Sequence, residues 1–322
     1  AYLGQSIVSD ANGLGAFAVS SGDYKIRADH MGARFWTDVI RVDTDAAYDL
    51  IIEHKDVTIK VAGDYKDDMT AREGVNVYLF TPSGAYLGLN DVTDAGGRAV
   101  FSLPESEYKV RADYMGQQFW SDSFIWTDSS VIIDEGAAET EVTNLGQPLE
   151  GVSVYVFSEN GAYLGINDVT DANGKVYFRL AEGNYNFRAD YLASQYWSLE
   201  TFVFGHTVNP ISISTGGASF GLTVLKGAND PIEGVNCYLF SESGAYLGEN
   251  TVTSSQGTAG FNLADGTYKI RVDYMGYPFW TDLFSVPDAS QLEFIIAHRD
   301  VTLTAAADYN GDLTAKEGLN SY

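Results

Sequence analysis

The sequence predicts an all-β protein, a tandem array of Ig-like antiparallel β-sandwiches of about 80 residues each. Three observations carry this. One unit recurs along the chain, apolar residues alternate with a period of two, and clusters of turn-forming residues separate the short apolar runs. The unit is clearest from Gly74, in GVNVYLFTPSGAYLGLNDVTDAGGRAVFSLPESEYKVRADYMGQQFWSD, and it returns from Gly151 and from Gly234. Its second two-thirds open the chain at Ala1, and its first strand closes the chain at Gly318 to Tyr322.

Within the unit, Val75 to Phe80 is a β-branched and aromatic run that reads as a strand. A turn at Pro82-Ser83-Gly84 leads to a second extended segment, AYLG followed by NDVT. Asp94-Ala95-Gly96-Gly97 is rich in residues that tolerate positive φ, so it reverses the chain into the returning strand Arg98 to Leu103. Next comes the clearest alternation: Tyr108, Val110, Ala112 and Tyr114 on one face, Lys109, Arg111 and Asp113 on the other. Period two over this length is a half-buried strand. Phe119 to Trp126 and Val131 to Ile133 supply the last strands, and no segment shows a 3.6-residue stripe.

The repeats also set the organisation. AYLG begins at Ala1, Ala85, Ala162 and Ala245, spacings of 84, 77 and 83 residues. This is long for a solenoid repeat and right for one small sandwich per copy. The expected units are a truncated sandwich over 1–54, complete ones over 55–135, 136–215 and 216–295, and the first strands of a further one over 296–322. EHKDVTIKVAGDYKDDMTAREG from Glu53 reappears from Ala297 as AHRDVTLTAAADYNGDLTAKEG, displaced by 244 residues, so the array repeats in sets of three. Two readings of the ends are open. The chain is an excerpt of a longer tandem protein, or its tail completes the first unit of the next molecule by strand addition. Both place further copies, or the continuation of the same chain, head to tail.

Composition narrows function. The 322 residues carry 44 acidic and 19 basic side chains, net −25, which repels nucleic acid and anionic membrane. No apolar run approaches the roughly 18 residues of a membrane span, so membrane insertion is not expected. The single cysteine, Cys237, takes the place of Val77 and Val154 in an apolar strand and reads as a small core residue. The four histidines (His30, His54, His206 and His298) form no Ser-His-Asp, Cys-His or HxxxH arrangement, so the chain reads as a non-enzyme with no catalytic residues.

The stretch from Pro148 to Val152, Thr170-Asp171 to Gly174, Phe178, and Gly183 to Tyr185 carry a further pattern. It resembles the carboxypeptidase regulatory-like and Cna-B-like sandwiches, a transthyretin-like, Ig-like group found in bacterial or archaeal surface proteins. The resemblance covers the chain unit by unit, through turn and core residues. It implies a spacer, stalk or adhesin module rather than an activity. Cna-B-like domains often hold a Lys–Asn isopeptide cross-link. Lys60 sits in a suitable early strand, but Thr304 replaces it in the displaced copy and no partnering Asn recurs, so no cross-link is expected.

Two candidate sites remain. Asp308, Asn310 and Asp312 place oxygens at alternate positions, as hard-cation loops do, and Asp64 and Asp68 are their counterparts with Lys66 between them. These are the candidate calcium ligands, calcium being the one cofactor considered; the alternative is a polar loop turned by its aspartates. The second site is the aromatic dipeptides Phe35-Trp36, Phe119-Trp120, Tyr196-Trp197 and Phe279-Trp280. Neighbours on a regular strand face opposite ways, so one ring of each pair is free for a sugar, the adjoining domain or another chain, unless a bulge turns both inward. The Arg-x-Asp pairs Arg27/Asp29, Arg111/Asp113, Arg188/Asp190 and Arg271/Asp273 share a strand face and read as a solvated ladder. The functional expectation is a structural protein of an extracellular filament, stalk or adhesin at the cell surface. The alternative is an array of carbohydrate-binding modules using the tryptophans.

Overall fold

The computed structural model describes residues 3–309 and 311–318. It is all-β among these, and no helix among them is long and apolar enough to cross a membrane. The unit around Gly74 shows the plan. One sheet runs Gln117–Trp120, Glu107–Tyr114, Asn76–Phe80, Tyr86–Val92, all antiparallel, with Phe124–Ile125 also paired to Glu107 and Tyr108. The facing sheet has the strand His54–Tyr65 at its centre, antiparallel to Arg98–Pro104. The inward sets of both sheets meet in one core, Val57, Ile59, Val77, Leu79, Tyr108 and Val110 among them, which is the alternation predicted from sequence. Two further cores of the same composition lie in the next two units; Cys237 is buried in the last, and burial pushes its thiol up to about 12.

The antiparallel plan has one parallel pairing per unit, which sequence alternation cannot reveal. Ser129–Asp134 runs parallel to Ile59–Asp64, Ala137–Thr143 to Val208–Ser214, and Gly221–Leu225 to Gln291–Ile295. First and last strands of a unit therefore point the same way, so the chain enters at one end of the sandwich and leaves at the other. The sixteen-residue strand Ser129–Asn144 makes this explicit. Its first part closes one sandwich and its second part, antiparallel to Lys175–Ala181, opens the next.

Local chemistry fixes the turns. Asp94 Oδ1 accepts the amides of Gly96 (2.8 Å) and Arg98 (2.9 Å), and Asp171 does the same for Asn173 and Lys175. Gly97 has φ +72°, and a Cβ there would sit 2.4 Å from the Val61 carbonyl oxygen, so only glycine fits. A buried tyrosine closes each complete unit: Tyr108, Tyr185 and Tyr268 donate their hydroxyls to the carbonyls of Pro104, Ala181 and Ala264. Burial pushes the Tyr108 phenol up to about 12 and those of Tyr185 and Tyr268 up as well.

Residues 3–52 contain the later segments of a unit but no buried residue. Only Gly22–Tyr24 pairs with Ile40–Val42 and Arg27–His30 with Ala33–Trp36. The counterpart of His54–Tyr65, the strand that roofs the core, is missing there. The repeat of that strand, residues 298–309, opens the following partial unit, where only the hairpin Ala306–Tyr309 with Asp312–Ala315 forms among the described residues.

Candidate functional site

The outer face of the four-stranded sheet carries the recurring aromatics. Tyr78, Arg111 and Trp120 are register partners in one row across three strands, so their side chains share that face. Trp120 packs on Phe80 (centroids 4.8 Å), Phe80 on Tyr86 (5.3 Å), and the Arg111 guanidinium lies 4.9 Å from the Tyr78 ring centre and 5.9 Å from that of Trp120. Asp113, two residues on, holds Arg111 Nε at 2.7 Å. The next units repeat it with Tyr155, Phe157, Arg188, Asp190 and Trp197, then with Tyr238, Phe240, Arg271, Asp273 and Trp280.

The dipeptides thus split across the sheet. The strand carrying Phe119 and Trp120 keeps an unbroken register with its neighbour, so the alternative of a bulge turning both rings inward is not what forms. Phe119, Tyr196 and Phe279 turn toward the cores, while Trp36, Trp120, Trp197 and Trp280 remain between 43 and 55 % exposed. Tyr196 also reaches the following unit, donating its hydroxyl to the Asp265 carbonyl at 2.6 Å. The Arg-x-Asp pairs are not a freely solvated ladder. In the three complete units Arg111, Arg188 and Arg271 are half-buried among rings, where a cation over an aromatic face is worth roughly 0.5–2 kcal/mol, while Arg27 stays exposed. The cross-strand register was the missing signal, since Tyr78 and Phe80 lie more than 30 residues from Arg111 in sequence.

The candidate calcium residues have other work. Tyr65 and Asp68 flank a two-residue turn in which Lys66 and Asp67 both have positive φ, and Asp64 Oδ1 accepts the Asp67 amide at 3.0 Å. Asp308 does the same for Gly311 at 2.8 Å. Asp68 gives its carboxylate to Arg179 (2.8 Å) rather than joining Asp64. Asn310 lies outside the described residues, as does the side chain of Asp312. The groups that do approach Asp64 are Asp134 and His206. His206 Nδ1 accepts the Lys66 amide (3.0 Å), so the neutral ring carries its proton on Nε2, toward Asp134 Oδ1 at 3.3 Å. Both ring nitrogens are then engaged, so this cluster forms a hydrogen-bonded junction between the two sandwiches.

Beside it lies the most buried charge among the described residues. Glu135, fully buried on the shared strand, is gripped by Arg72 of one sandwich (Nε to Oε1 2.6 Å) and by Arg179 Nε of the next. Arg179 also donates to the carboxylate and the carbonyl of Asp68 and lies 5.5 Å from the Tyr65 ring centre. Gly63 makes room: a Cβ there would be 2.0 Å from Glu135 Oε1. Sequence reading missed this site because its members stand 63 and 44 residues from Glu135.

No family model matches the chain, and no curated protein matches it by sequence. Solved structures do. The Bacillus anthracis TIE protein is 15 % identical, with 88 % of this chain and 61 % of that one covered, at a TM-score of 0.27. The minor pilin of Streptococcus agalactiae is 15 % identical over 49 % of this chain and 94 % of its own, at 0.31. Two B repeat units of the Staphylococcus aureus collagen-binding protein are 15 % identical over 69 % of each chain, at 0.21. The chain spans about three-fifths of the length of the first of these. It resembles Gram-positive pilins and Cna B repeats as a tandem of β-sandwich domains. At these identities and scores the likeness carries nothing about activity or partners.

Proposed function

We propose that this chain is a structural repeat protein, part of an extracellular filament, stalk or adhesin at the cell surface, assembled head to tail from Ig-like domains. The units are those over 55–135, 136–215 and 216–295, with the partial ones over 1–54 and 296–322. The observation that carries the reading is the parallel pairing of first and last strands, which sends the chain in and out at opposite ends of each sandwich. A body so threaded extends in one direction with each added unit. Its work is mechanical: repetition sets length, junction contacts limit bending, and the net charge of −25 discourages lateral clumping. Its partners are further copies or the continuation of the same chain, not nucleic acid or the membrane interior. Electron microscopy of the protein tests this. Unbranched polymers with a period of one three-unit set are expected, and compact separate particles would contradict it.

A second reading rests on the half-exposed tryptophans, each set in a row of tyrosine and arginine. Rings of this kind stack on sugars, so the array would act as carbohydrate-binding modules. Glycan-array binding that disappears in Trp120→Ala would favour it, and no binding to any glycan would remove it.

A further inference from the structure

We infer that His30 and His54 form a binding site for a divalent transition-metal ion such as zinc, at the joint between residues 3–52 and the first complete sandwich. Their Nε2 atoms lie 3.2 Å apart and their ring centroids 5.3 Å apart. Two imidazoles on one tetrahedral ion, with bonds of about 2.05 Å, stand about 3.3 Å apart nitrogen to nitrogen and about 5.2 Å centroid to centroid. The pair already holds that spacing, so an ion enters between the rings with little movement of either.

Both rings are held from behind. His54 opens the strand His54–Tyr65, and its Nδ1 lies 3.0 Å from the Ile52 carbonyl oxygen. A carbonyl only accepts, so Nδ1 carries the proton and Nε2 presents its lone pair. Metal-ligating histidines are commonly fixed in this way, through the other nitrogen to a backbone carbonyl. His30 ends the strand Arg27–His30, and the turn after it is clipped to the next sandwich. Met31 packs against the core around Val57, and a Cβ on Gly32 would lie 2.9 Å from Thr81 Cγ2. In the structure His30 Nε2 donates to the His54 lone pair. When an ion takes that lone pair, His30 exchanges its proton through water to Nδ1 and presents a lone pair of its own. Water completes the coordination, since no third histidine, cysteine or carboxylate converges with these two among the described residues.

Two histidines meet at this joint alone among the described residues. Tyr114, Tyr191 and Tyr274 stand where His30 stands. His298, the repeat of His54, faces Tyr274 instead (centroids 5.6 Å), with its own Nδ1 on the Ile296 carbonyl at 2.8 Å. The strand position of His54 also carries the tie at the next joint, since Glu135 opposes Ala181 as His54 opposes Pro104. There the tie is a carboxylate between two arginines. Here it is a metal between two imidazoles, joining the hairpin of one unit to the first strand of the next.

Calorimetric titration of the full chain with zinc chloride tests this, with His30→Tyr and His54→Gln as site variants and His206→Gln as a control at the Asp64–Asp134 junction. Tyrosine stands at the His30 position in three other copies, so His30→Tyr should leave the fold and the metal-free melting temperature unchanged. One tightly bound zinc per wild-type chain is expected. Each site variant should weaken it at least tenfold, since one imidazole is then lost from a two-imidazole site, while His206→Gln should bind as wild type does. In nitrogen-15 spectra of the histidine rings, the Nε2 signals of His30 and His54 should both shift with the first equivalent of zinc. Undiminished binding in either site variant, or loss of binding in His206→Gln, would overturn the site by placing the ion elsewhere. So would a wild type that takes up no zinc at millimolar concentration.

Discussion

Two junctions inside the chain join the same kinds of sandwich in different ways. Between the first two complete units the backbone is one continuous strand, Ser129–Asn144, and its central Glu135 is clamped by an arginine from either side. Between the second and third, the strand stops at Ser214 and resumes at Ala218, with Gly216 and Gly217 at φ +64° and +98°. Here each bond involves a backbone group and none is an ion pair: the Gly217 amide to Asp265 Oδ1 (2.7 Å), the Asp265 amide to the Thr215 carbonyl, and the Tyr196 hydroxyl to the Asp265 carbonyl. Thr215 Oγ1 and Asn144 Oδ1 are buried there with no partner among the described residues. The lesson is that the junctions are bonded differently: one is a continuous strand with a buried ion cluster, the other a joint turned by two glycines with no ion pair across it among the described residues.

The sharpest way to break the comparison is Glu135→Ala. It leaves two arginines facing each other without their shared anion, and breaking a buried pair costs about 3–5 kcal/mol. Thr215→Ala at the matching position of the other junction removes a hydroxyl that makes no bond, and should be nearly neutral. Thermal unfolding with limited proteolysis reads both; equal losses would erase the distinction. Gly63→Ala comes next. Its methyl would displace the Glu135 carboxylate, with an overpacking cost of about 1–3 kcal/mol, and a crystal structure should show the Arg72 contact opened. Tyr196→Phe loses one hydrogen bond at the bent joint, about 0.5–1.5 kcal/mol, and should speed protease cleavage near Thr215 without altering cleavage near Glu135.

The smallest effect is in acid. Backbone amides of Lys175 and Asn173 hold the Asp171 carboxyl below its ordinary value, and the hydrogen bond from Lys175 does the same for Glu139. Folded values are depressed, so this stabilisation is present above the ordinary carboxylate range and is lost as pH falls through the lowered ones. Asp171 is exposed and Glu139 still reaches solvent, so the change in melting temperature between about pH 5 and pH 2 should be slight, and slighter still in Asp171→Asn. A large acid effect that Asp171→Asn leaves untouched would place the sensitive carboxylates elsewhere.

Much of this was legible in the sequence. Strict alternation from Tyr108 to Tyr114 gave a half-buried strand, the Thr-Asp-x-x-Gly stretch gave its hairpin, and the split of each aromatic dipeptide followed from pleat geometry. The junctions were harder to read. Ala137 and Ala138 blur the hydrophobic pattern where one sandwich becomes the next, so the sequence reading ended the strand at Ile133. Parallel pairing of first and last strands leaves no local trace, because 70 residues separate the partners Ser129 and Ile59. The Glu135 cluster and the arginines among the rings are tertiary in the same sense. Alternate oxygens at Asp308, Asn310 and Asp312, with Asp64 and Asp68 as counterparts, suggested a cation; sequence alone does not show that Asp64 accepts a turn amide and Asp68 pairs with Arg179.

The account depends on separate sandwiches threaded end to end, and pulling a single molecule from both ends tests that most directly. Three rupture events are expected, one for each complete core, each releasing about 80 residues or roughly 280 Å of extended chain. The unit that opens into the Glu135 junction should yield at a different force from the one beyond the glycine pair. A single event releasing the whole length, or smooth extension with no steps, would contradict it.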